Sequence, residues 1–264
     1  MLPGRLTSDS FQWPYYDGDL VVWIDPANEI ERSMLVGYDP DVARAIQRFA
    51  GPGLHCIDVG ANVGAVTLPM AKRVGPAGRV LAVEPGPPYV ERLRDNLAAN
   101  PALEQRVTIV AEGLSESVGT LLWKPDPAHP YNAGMSAAHP YAVPGELPVP
   151  VTTMDALVAR QGWERVDFVK IDVEGMELEV LRGAENTLET LRPVVLFETM
   201  EVFRTLRREQ TGHPDVFAEI ERWLQGLGYA LYALEADGRL KAVDAASLPD
   251  NTLALPRERS FSAP

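Results

Sequence analysis

The sequence has a single cysteine, Cys56, and lacks the features that mark several other classes of protein. One cysteine excludes an internal disulfide, and its position in an apolar run predicts a buried thiol. No stretch of the chain approaches the roughly 20 apolar residues of a membrane helix. The N-terminus has no basic segment followed by an apolar core, which is the pattern of a secretory signal. We therefore expect a cytoplasmic protein without a membrane partner.

Positive charge is also scarce. Lysine and arginine total 24 against 37 aspartate and glutamate residues, so the formal net charge is −13. This charge repels a nucleic-acid backbone unless a local basic patch overrides it, and no basic cluster of the needed density is present. The sequence therefore argues against a nucleic-acid partner.

Strand and helix patterns alternate along most of the chain. From Leu54 onward, three apolar runs rich in β-branched residues alternate with helical segments before the proline-rich stretch begins. This alternation predicts a parallel sheet with right-handed crossovers. The last two apolar runs, YALYAL and NTLALP, predict an antiparallel edge pair. We predict an α/β fold over residues 51–264, with a Rossmann-like sheet of seven strands, mostly parallel with an antiparallel edge strand, flanked by helices.

Two further segments stand apart from this pattern. Residues 1–50 predict a small N-terminal extension, with an aromatic segment and the run Leu20 to Ile24 as a hairpin or edge strand. A helix follows, capped by Asp39 and ending near Gly51. The stretch 125–150 holds seven prolines, too many for a helix or a central strand. We expect it to be a long irregular loop that covers a substrate.

The sharpest motif is the run Asp58-Val-Gly60-Ala-Asn62-Val-Gly64, followed by Glu84 at the end of the next strand. Glycines allow a tight turn after a strand, and an acid at the tip of the second strand suits the hydroxyls of a ribose. The run has one glycine fewer than the GxGxxG turn that faces a pyrophosphate. A carboxylate before the turn instead suits a cationic head, such as the ammonium of S-adenosylmethionine.

Four segments together resemble the FkbM-type methyltransferase family: DVGANVG, VEPGP, GLSE and VDFVKIDVEGMELEVLRGAENTL. The resemblance spans about Leu54 to Glu198. It implies a class I methyltransferase sheet, S-adenosylmethionine as cofactor with S-adenosylhomocysteine as product, and O-methylation of a sugar or polyketide hydroxyl. The cofactor-binding residues it implies are Asp58, Gly60, Asn62, Val63, Gly64, Glu84, Pro85, Gly113, Leu114, Ser115 and Asp172.

The same resemblance assigns parts of the cofactor to parts of this set. The glycine turn would surround the amino-acid portion, and Glu84 would bind the ribose. The segment 113–115 would lie along the adenine. Asp172, at the carboxyl end of the fourth strand, would close the floor near the methionine portion.

Several residues are candidates for a general base that accepts the proton of the acceptor hydroxyl. Asp172, Glu174 and Glu198 follow strands at the expected site, and His139, like His129, lies on the proline-rich segment. The three acids could also gather around a divalent cation, although no His-rich or Cys-rich spacing supports zinc. For Glu174, stabilisation by a helix dipole is an equally good explanation.

Three other functions fit parts of the pattern. A nicotinamide-dependent dehydrogenase uses a similar sheet, but the GxGxxG turn is missing. A nucleic-acid methyltransferase is disfavoured by the charge and by the lack of an N-P-P-Y or D-P-P-Y segment. A non-catalytic binding module can keep the same scaffold. We expect a small-molecule hydroxyl acceptor as partner, and the aromatic N-terminal segment could pack on a second copy in a homodimer.

Overall fold

The computed structural model describes residues 6–125, 133–137, 146–212 and 214–259. An N-terminal hairpin opens the described chain, with β1 (Phe11–Tyr15) antiparallel to β2 (Leu20–Ile24). Helices α1 (Glu29–Met34) and α2 (Pro40–Phe49) follow. The predicted hairpin and helix are both confirmed. Asp39 caps α2 because its side chain accepts hydrogen bonds from the first-turn amides, with Pro40 at the start of the helix.

Strands and helices alternate over part of the remaining chain, and elsewhere several strands follow one another without a helix between them. The strands are β3 (His55–Val59), β4 (Arg79–Val83), β5 (Val107–Val110), β6 (Gly113–Leu114), β7 (Gly119–Pro125), β8 (Ala133–Ala137), β9 (Leu147–Thr152), β10 (Phe168–Ile171), β11 (Val194–Glu198), β12 (Tyr229–Leu234), β13 (Leu240–Ala242) and β14 (Asn251–Pro256). The helices are α3 (Thr67–Val74), α4 (Pro87–Ala98), α5 (Pro101–Glu104), α6 (Met154–Gln161), α7 (Glu177–Arg182), α8 (Glu185–Thr190), α9 (Glu201–Thr211) and α10 (Val216–Gly226). Over the described ranges, every helix is too short or too polar to cross a membrane.

A sheet of eight strands forms the centre of the described structure, in the order β13-β12-β14-β11-β10-β3-β4-β5. The five strands from β11 to β5 are parallel. This confirms the Rossmann-like, mostly parallel sheet, but the predicted number of seven strands is one too few. The extra strand is β13, an antiparallel edge strand paired with β12. The antiparallel strand β14 lies inside the sheet, between β11 and β12.

The proline-rich segment is more regular than the sequence suggests. Strands β7, β8 and β9 form a second sheet with β6, in the order β6-β9-β7-β8, so the predicted irregular loop is wrong for these parts. Pro148 and Pro150 have no backbone amide hydrogen, and they are two residues apart on β9. The two positions that cannot donate a hydrogen bond therefore lie on the same side of the strand. On that side β6 pairs with β9 only at Val151 and Thr152, which leaves the prolines at an edge. Residues 126–132 and 138–145 lie outside the described residues.

Helix α3 begins later than the sequence pattern indicates. Its first residue is Thr67, so Pro69 lies in the first turn, where a backbone amide has no partner within the helix. Pro69 therefore does not kink α3.

The helical segment after β10 is divided in two. Sequence periodicity predicts one continuous helix, but α7 ends at Arg182 and α8 begins at Glu185. Gly183 lies between them against the chain after β6, where an added Cβ would be 2.1 Å from the Ser115 carbonyl oxygen. The break therefore follows from a contact that is distant in sequence.

The sequence pattern around the start of α6 predicts Thr152 as its cap, with Asp155 three residues on. Thr153, not Thr152, accepts a hydrogen bond from the Ala156 amide at 3.0 Å. Asp155 instead accepts from the Thr187 amide at 2.8 Å and so holds the start of α8. This hydrogen bond joins α6 to α8.

The N-terminal extension shares a core with the sheet domain. The Tyr15 hydroxyl donates to the Ala65 carbonyl at 2.9 Å, and the Trp23 amide donates to the Asn96 side chain at 2.7 Å. A buried ion pair joins Arg92 of α4 to Glu31 of α1 at 2.9 Å. Residues of both segments belong to one hydrophobic cluster. The hairpin and α1 are therefore held rigidly beside the carboxyl ends of the strands.

Candidate active site

A pocket lies at the carboxyl ends of β3, β4 and β10, which is where open α/β sheets bind ligands. Its volume, including the opening to solvent, is about 660 Å³. Its wall includes most of the residues implied as a cofactor site. These are Gly60, Asn62, Glu84, Pro85, Gly113, Leu114 and Asp172, together with the base candidate Glu174. Further wall residues, which sequence reasoning missed, are Ile30, Tyr38, Tyr89, Trp123 and Val173.

The glycine turn after β3 is shaped mainly by its neighbours in the fold. Gly60 has φ +77°, and a Cβ there would be 1.8 Å from the Asp172 carbonyl oxygen. Gly64 has φ +98°, and a Cβ there would be 2.7 Å from the Leu93 side chain of α4. Both positions therefore require glycine for close packing. Gly64 does not lie on the pocket wall, and neither does Val63, which is fully buried.

Glu84 lies at the end of β4, as predicted, with only 4% of its surface exposed. One carboxylate oxygen accepts from the Asn62 amide at 2.9 Å, and the other accepts from the Gly86 amide at 2.7 Å. Burial raises the pKa of Glu84 to about 7, against the lowering effect of these two amides. Each oxygen has a second lone pair, so Glu84 can still accept hydrogen bonds from a ligand's hydroxyls.

Asp58 occupies a different position from the one its motif implies. It is fully buried and lies behind the turn, outside the pocket wall. One of its oxygens accepts from the Thr67 hydroxyl at 2.5 Å, and the other is 3.7 Å from the Lys170 ammonium. Burial raises the pKa of Asp58, and the charge of Lys170 opposes that shift. Asp58 thus joins β3, α3 and β10 instead of facing the pocket.

Lys170 is the charged residue that sequence reasoning overlooked. It lies in the middle of β10, in the run FVKI, and is 2% exposed. Its ammonium is 3.0 Å from Asp172 and 3.7 Å from Asp58, and these carboxylates raise its pKa against the effect of burial. A lysine inside an otherwise apolar strand was the available signal, because such a charge is buried only when it is paired.

Asp172 and Glu174 both lie on the pocket wall, at the turn between β10 and α7. Glu177 shapes this turn by accepting from the amides of Val173 and Gly175, each at 3.2 Å. Glu174 itself has the left-handed conformation, with φ +56°. The turn therefore presents two acids to the pocket, while the third stabilises the backbone.

The other candidates for a general base are less well placed. Glu198 is not on the pocket wall, and burial together with the negative charges of Asp172 and Glu174 raises its pKa to about 10. His139, like His129, lies outside the described residues.

Another part of the pocket wall is apolar and aromatic. Gly113 and Leu114 of β6 line it as predicted, next to Trp123 of β7 and Tyr89 of α4. The two aromatic rings meet edge to face, with centroids 5.6 Å apart. Ser115 is not on the wall and instead donates its amide to the Thr152 carbonyl at 2.9 Å. Apolar and aromatic side chains of this kind suit a heterocycle such as adenine.

A metal site is not formed by the acids in the described part of the chain. No group of three or more histidine, cysteine, aspartate or glutamate side chains there is arranged to hold a metal ion. Asp172 and Glu174 nevertheless lie within electrostatic reach of Glu198.

A parallel sheet with an antiparallel strand inserted near one edge, and a pocket at the strand ends, define a Rossmann-like fold of the class I methyltransferase type. The model of the FkbM methyltransferase domain matches residues 58–231, which is more than half of the chain. The protein belongs to the FkbM methyltransferase family. The resemblance of its motifs to that family is thereby confirmed.

Two curated relatives are similar in sequence to part of this chain. Methyltransferase sdnD of Sordaria araneosa is 34% identical over 173 residues, covering 55% of this chain and 66% of that protein. The hexuronic acid methyltransferase AglP of Haloferax volcanii is 28% identical over 173 residues, covering 66% of this chain and 67% of that protein. The matched region thus spans about two thirds of each relative's length.

Solved structures of similar chains are more distant. The O-methyltransferase from Bacillus cereus in complex with SAH is 16% identical, with a TM-score of 0.46 over 83% of this chain and 81% of that one. Methyltransferase FkbM from Methylobacillus flagellatus is 17% identical, with a TM-score of 0.45 over 76% of this chain and 43% of that one.

Proposed function

We propose that this protein is an S-adenosylmethionine-dependent methyltransferase that methylates a hydroxyl of a small molecule. Its acceptor is a sugar or polyketide part of a natural product or glycoconjugate. The observation that carries the proposal is the buried carboxylate of Glu84, held on the pocket wall by two backbone amides beside the glycine turn. Membership of a methyltransferase family and the similarity to AglP and sdnD support the same function.

The residues of the pocket fit the proposed cofactor in charge and in shape. The ionisable side chains on its wall include the acids Glu84, Asp172 and Glu174, and Lys170 lies behind them. An excess of negative charge favours a cationic ligand such as a sulfonium compound. Glu84 would hold the ribose hydroxyls, and the turn at Asn62 would hold the amino-acid portion. Leu114 and the aromatic residues would lie along the adenine.

The cofactor, when bound, supplies an electrophilic methyl group, so the protein has to align the acceptor and receive one proton. Correct alignment of two reactants is equivalent to an effective concentration of about 10⁵–10⁸ M. A general base adds a factor of about 10²–10⁴. Asp172 and Glu174 are the described acids on the wall that could accept the proton from the acceptor hydroxyl. Lys170, 3.0 Å from Asp172, holds that carboxylate in place.

Calorimetry with S-adenosylhomocysteine tests the cofactor assignment. We expect wild-type protein to bind it, and Glu84→Gln to weaken binding by about 10- to 100-fold, because charge-assisted hydrogen bonds contribute about 1.5–3 kcal/mol each. Glu104→Gln, at an exposed glutamate of α5, is the matched control and should bind normally. Binding of NADH with no affinity for S-adenosylhomocysteine would instead indicate a dehydrogenase.

The acceptor class requires a separate experiment. The protein is incubated with S-adenosylmethionine and a panel of glycosides and polyketides, and products are searched by mass spectrometry for the gain of one CH₂ group. We expect methylation at oxygen, shown by loss of a free hydroxyl signal in the product's NMR spectrum. Products methylated only at nitrogen or carbon would contradict the hydroxyl assignment.

A further inference from the structure

We propose that a second pocket, between the N-terminal hairpin and α2, binds the acceptor as a neutral, hydroxylated ring compound. This inference rests on the proposed function and names the substrate site for it. The pocket has a volume of about 860 Å³ including its opening. Its walls come from the hairpin turn, the loop between α1 and α2, one face of α2 and the segment before α3. It is therefore built largely from the N-terminal extension.

Tyr38 connects this pocket to the candidate active site. It lies on the wall of both pockets. Its backbone is left-handed, with φ +56°, directly after Gly37, and its amide donates to the Ser33 carbonyl at 2.9 Å. On the side of the first pocket, Tyr38 lies within electrostatic reach of Asp172 and Lys170. Tyr38 is thus a wall residue that the two pockets share.

The composition of the second pocket indicates the kind of molecule it takes. Aromatic and apolar side chains form much of its wall, among them Tyr16, Val42 and Val66. Such walls bind the apolar faces of rings. Two carboxylates, Asp17 and Asp39, also line the pocket, and no lysine or arginine is among its described lining residues. The charges of these two carboxylates disfavour a negatively charged acceptor, and the Asp17 carboxylate can accept hydrogen bonds from the hydroxyls of a neutral one.

A pair of probes tests the pocket's preference. Phenyl β-D-glucoside and phenyl β-D-glucuronide have the same rings and differ by one carboxylate. Their dissociation constants are measured by ligand-observed NMR, with the protein saturated with S-adenosylhomocysteine. We expect the glucoside to bind and the glucuronide to bind at least about tenfold more weakly, because of repulsion from the two wall carboxylates.

Three variants locate the binding. Ala43 is half-buried on α2 and lines the second pocket, so Ala43→Trp should fill it and weaken glucoside binding at least about tenfold. Ala98→Trp, at an exposed alanine of α4 outside both pockets, is the matched control and should bind as wild type. Gln47 is exposed and lines the pocket, so Gln47→Arg adds a cation and should strengthen glucuronide binding relative to glucoside binding.

Affinity for S-adenosylhomocysteine is measured in every variant, and Ala43→Trp is expected to retain it. Glucoside binding that is unchanged in Ala43→Trp would overturn the proposal, as would a glucuronide that binds as tightly as the glucoside, or a wild type that binds neither probe. If the wild type binds S-adenosylhomocysteine in those cases, only the second pocket has been misassigned. If it does not, the proposed function itself fails.

Discussion

Replacing Lys170 by methionine measures how much the buried ammonium on β10 contributes to the free energy of unfolding. The variant removes a buried ammonium that lies 3.0 Å from Asp172 and 3.7 Å from Asp58. Methionine has a similar length and no charge, so packing in β10 is largely kept. Asp58 is fully buried, so its charge has little access to water once Lys170 is removed.

The expected cost follows from these distances. At an effective dielectric constant of about 20, two unit charges about 4 Å apart interact by about 4 kcal/mol. Breaking a buried pair by removing one partner costs about 3–5 kcal/mol. Because Asp58 can take up a proton, we place the loss of unfolding free energy at the lower end, about 3 kcal/mol. A domain stable by about 5–15 kcal/mol still folds after this loss.

Urea unfolding followed by circular dichroism measures the effect in four proteins: wild type, Lys170→Met, Asp58→Asn and the double variant. We expect the double variant to be more stable than the sum of the single losses predicts, with a coupling energy of about 1–3 kcal/mol. Lys72→Met is the matched control, because Lys72 forms an ion pair with the exposed Asp19, and such surface pairs contribute about 0–1 kcal/mol. A loss below about 1 kcal/mol in Lys170→Met, with no coupling to Asp58, would refute the reasoning.

Three further predictions follow from the site. Gly60→Ala should lower the unfolding free energy by about 3 kcal/mol or more in a denaturant titration, since its Cβ would clash with the Asp172 carbonyl at a left-handed position; an unchanged midpoint would contradict this. Burial raises the pKa of Glu84 and Glu177 to about 7 and that of Glu198 to about 10, so the folded protein binds more protons than the unfolded chain. Its unfolding free energy should therefore fall between pH 5.5 and pH 8.5, and a rise in the midpoint of thermal unfolding over this range would count against the buried acids. Protonation of Glu84 near pH 7 should also weaken S-adenosylhomocysteine binding between pH 8 and pH 6, which calorimetry at both pH values would detect in the wild type and find absent in Glu84→Gln.

Local sequence patterns were sufficient to predict several of the strands and helices around the site. Apolar runs with β-branched residues located β3, β4 and β10, because a strand buried on both faces has such a composition whatever its neighbours are. Glu84 was placed at the end of β4 by its position after such a run. The Asp39 cap and Pro40 at the start of α2 were predicted because capping involves only adjacent residues.

Pattern reasoning failed where a distant segment decides the outcome. Asp58 was expected to face the ligand, but Thr67 and Lys170 bind its carboxylate behind the turn. Proline content indicated an irregular loop, yet Pro148 and Pro150 fit on one edge of β9, because their effect depends on which side of the strand is paired.

The sequence by itself therefore determined the parallel strands of the central sheet, the glycine turn and the acid at the end of β4, since each depends on residues close together along the chain. Only the tertiary structure decided which side chains reach the pocket. Tyr38 from the N-terminal extension and Trp123 from the second sheet enter its wall, and the Asp172 carbonyl imposes glycine at position 60. These contacts join segments far apart in sequence, and no local periodicity records them.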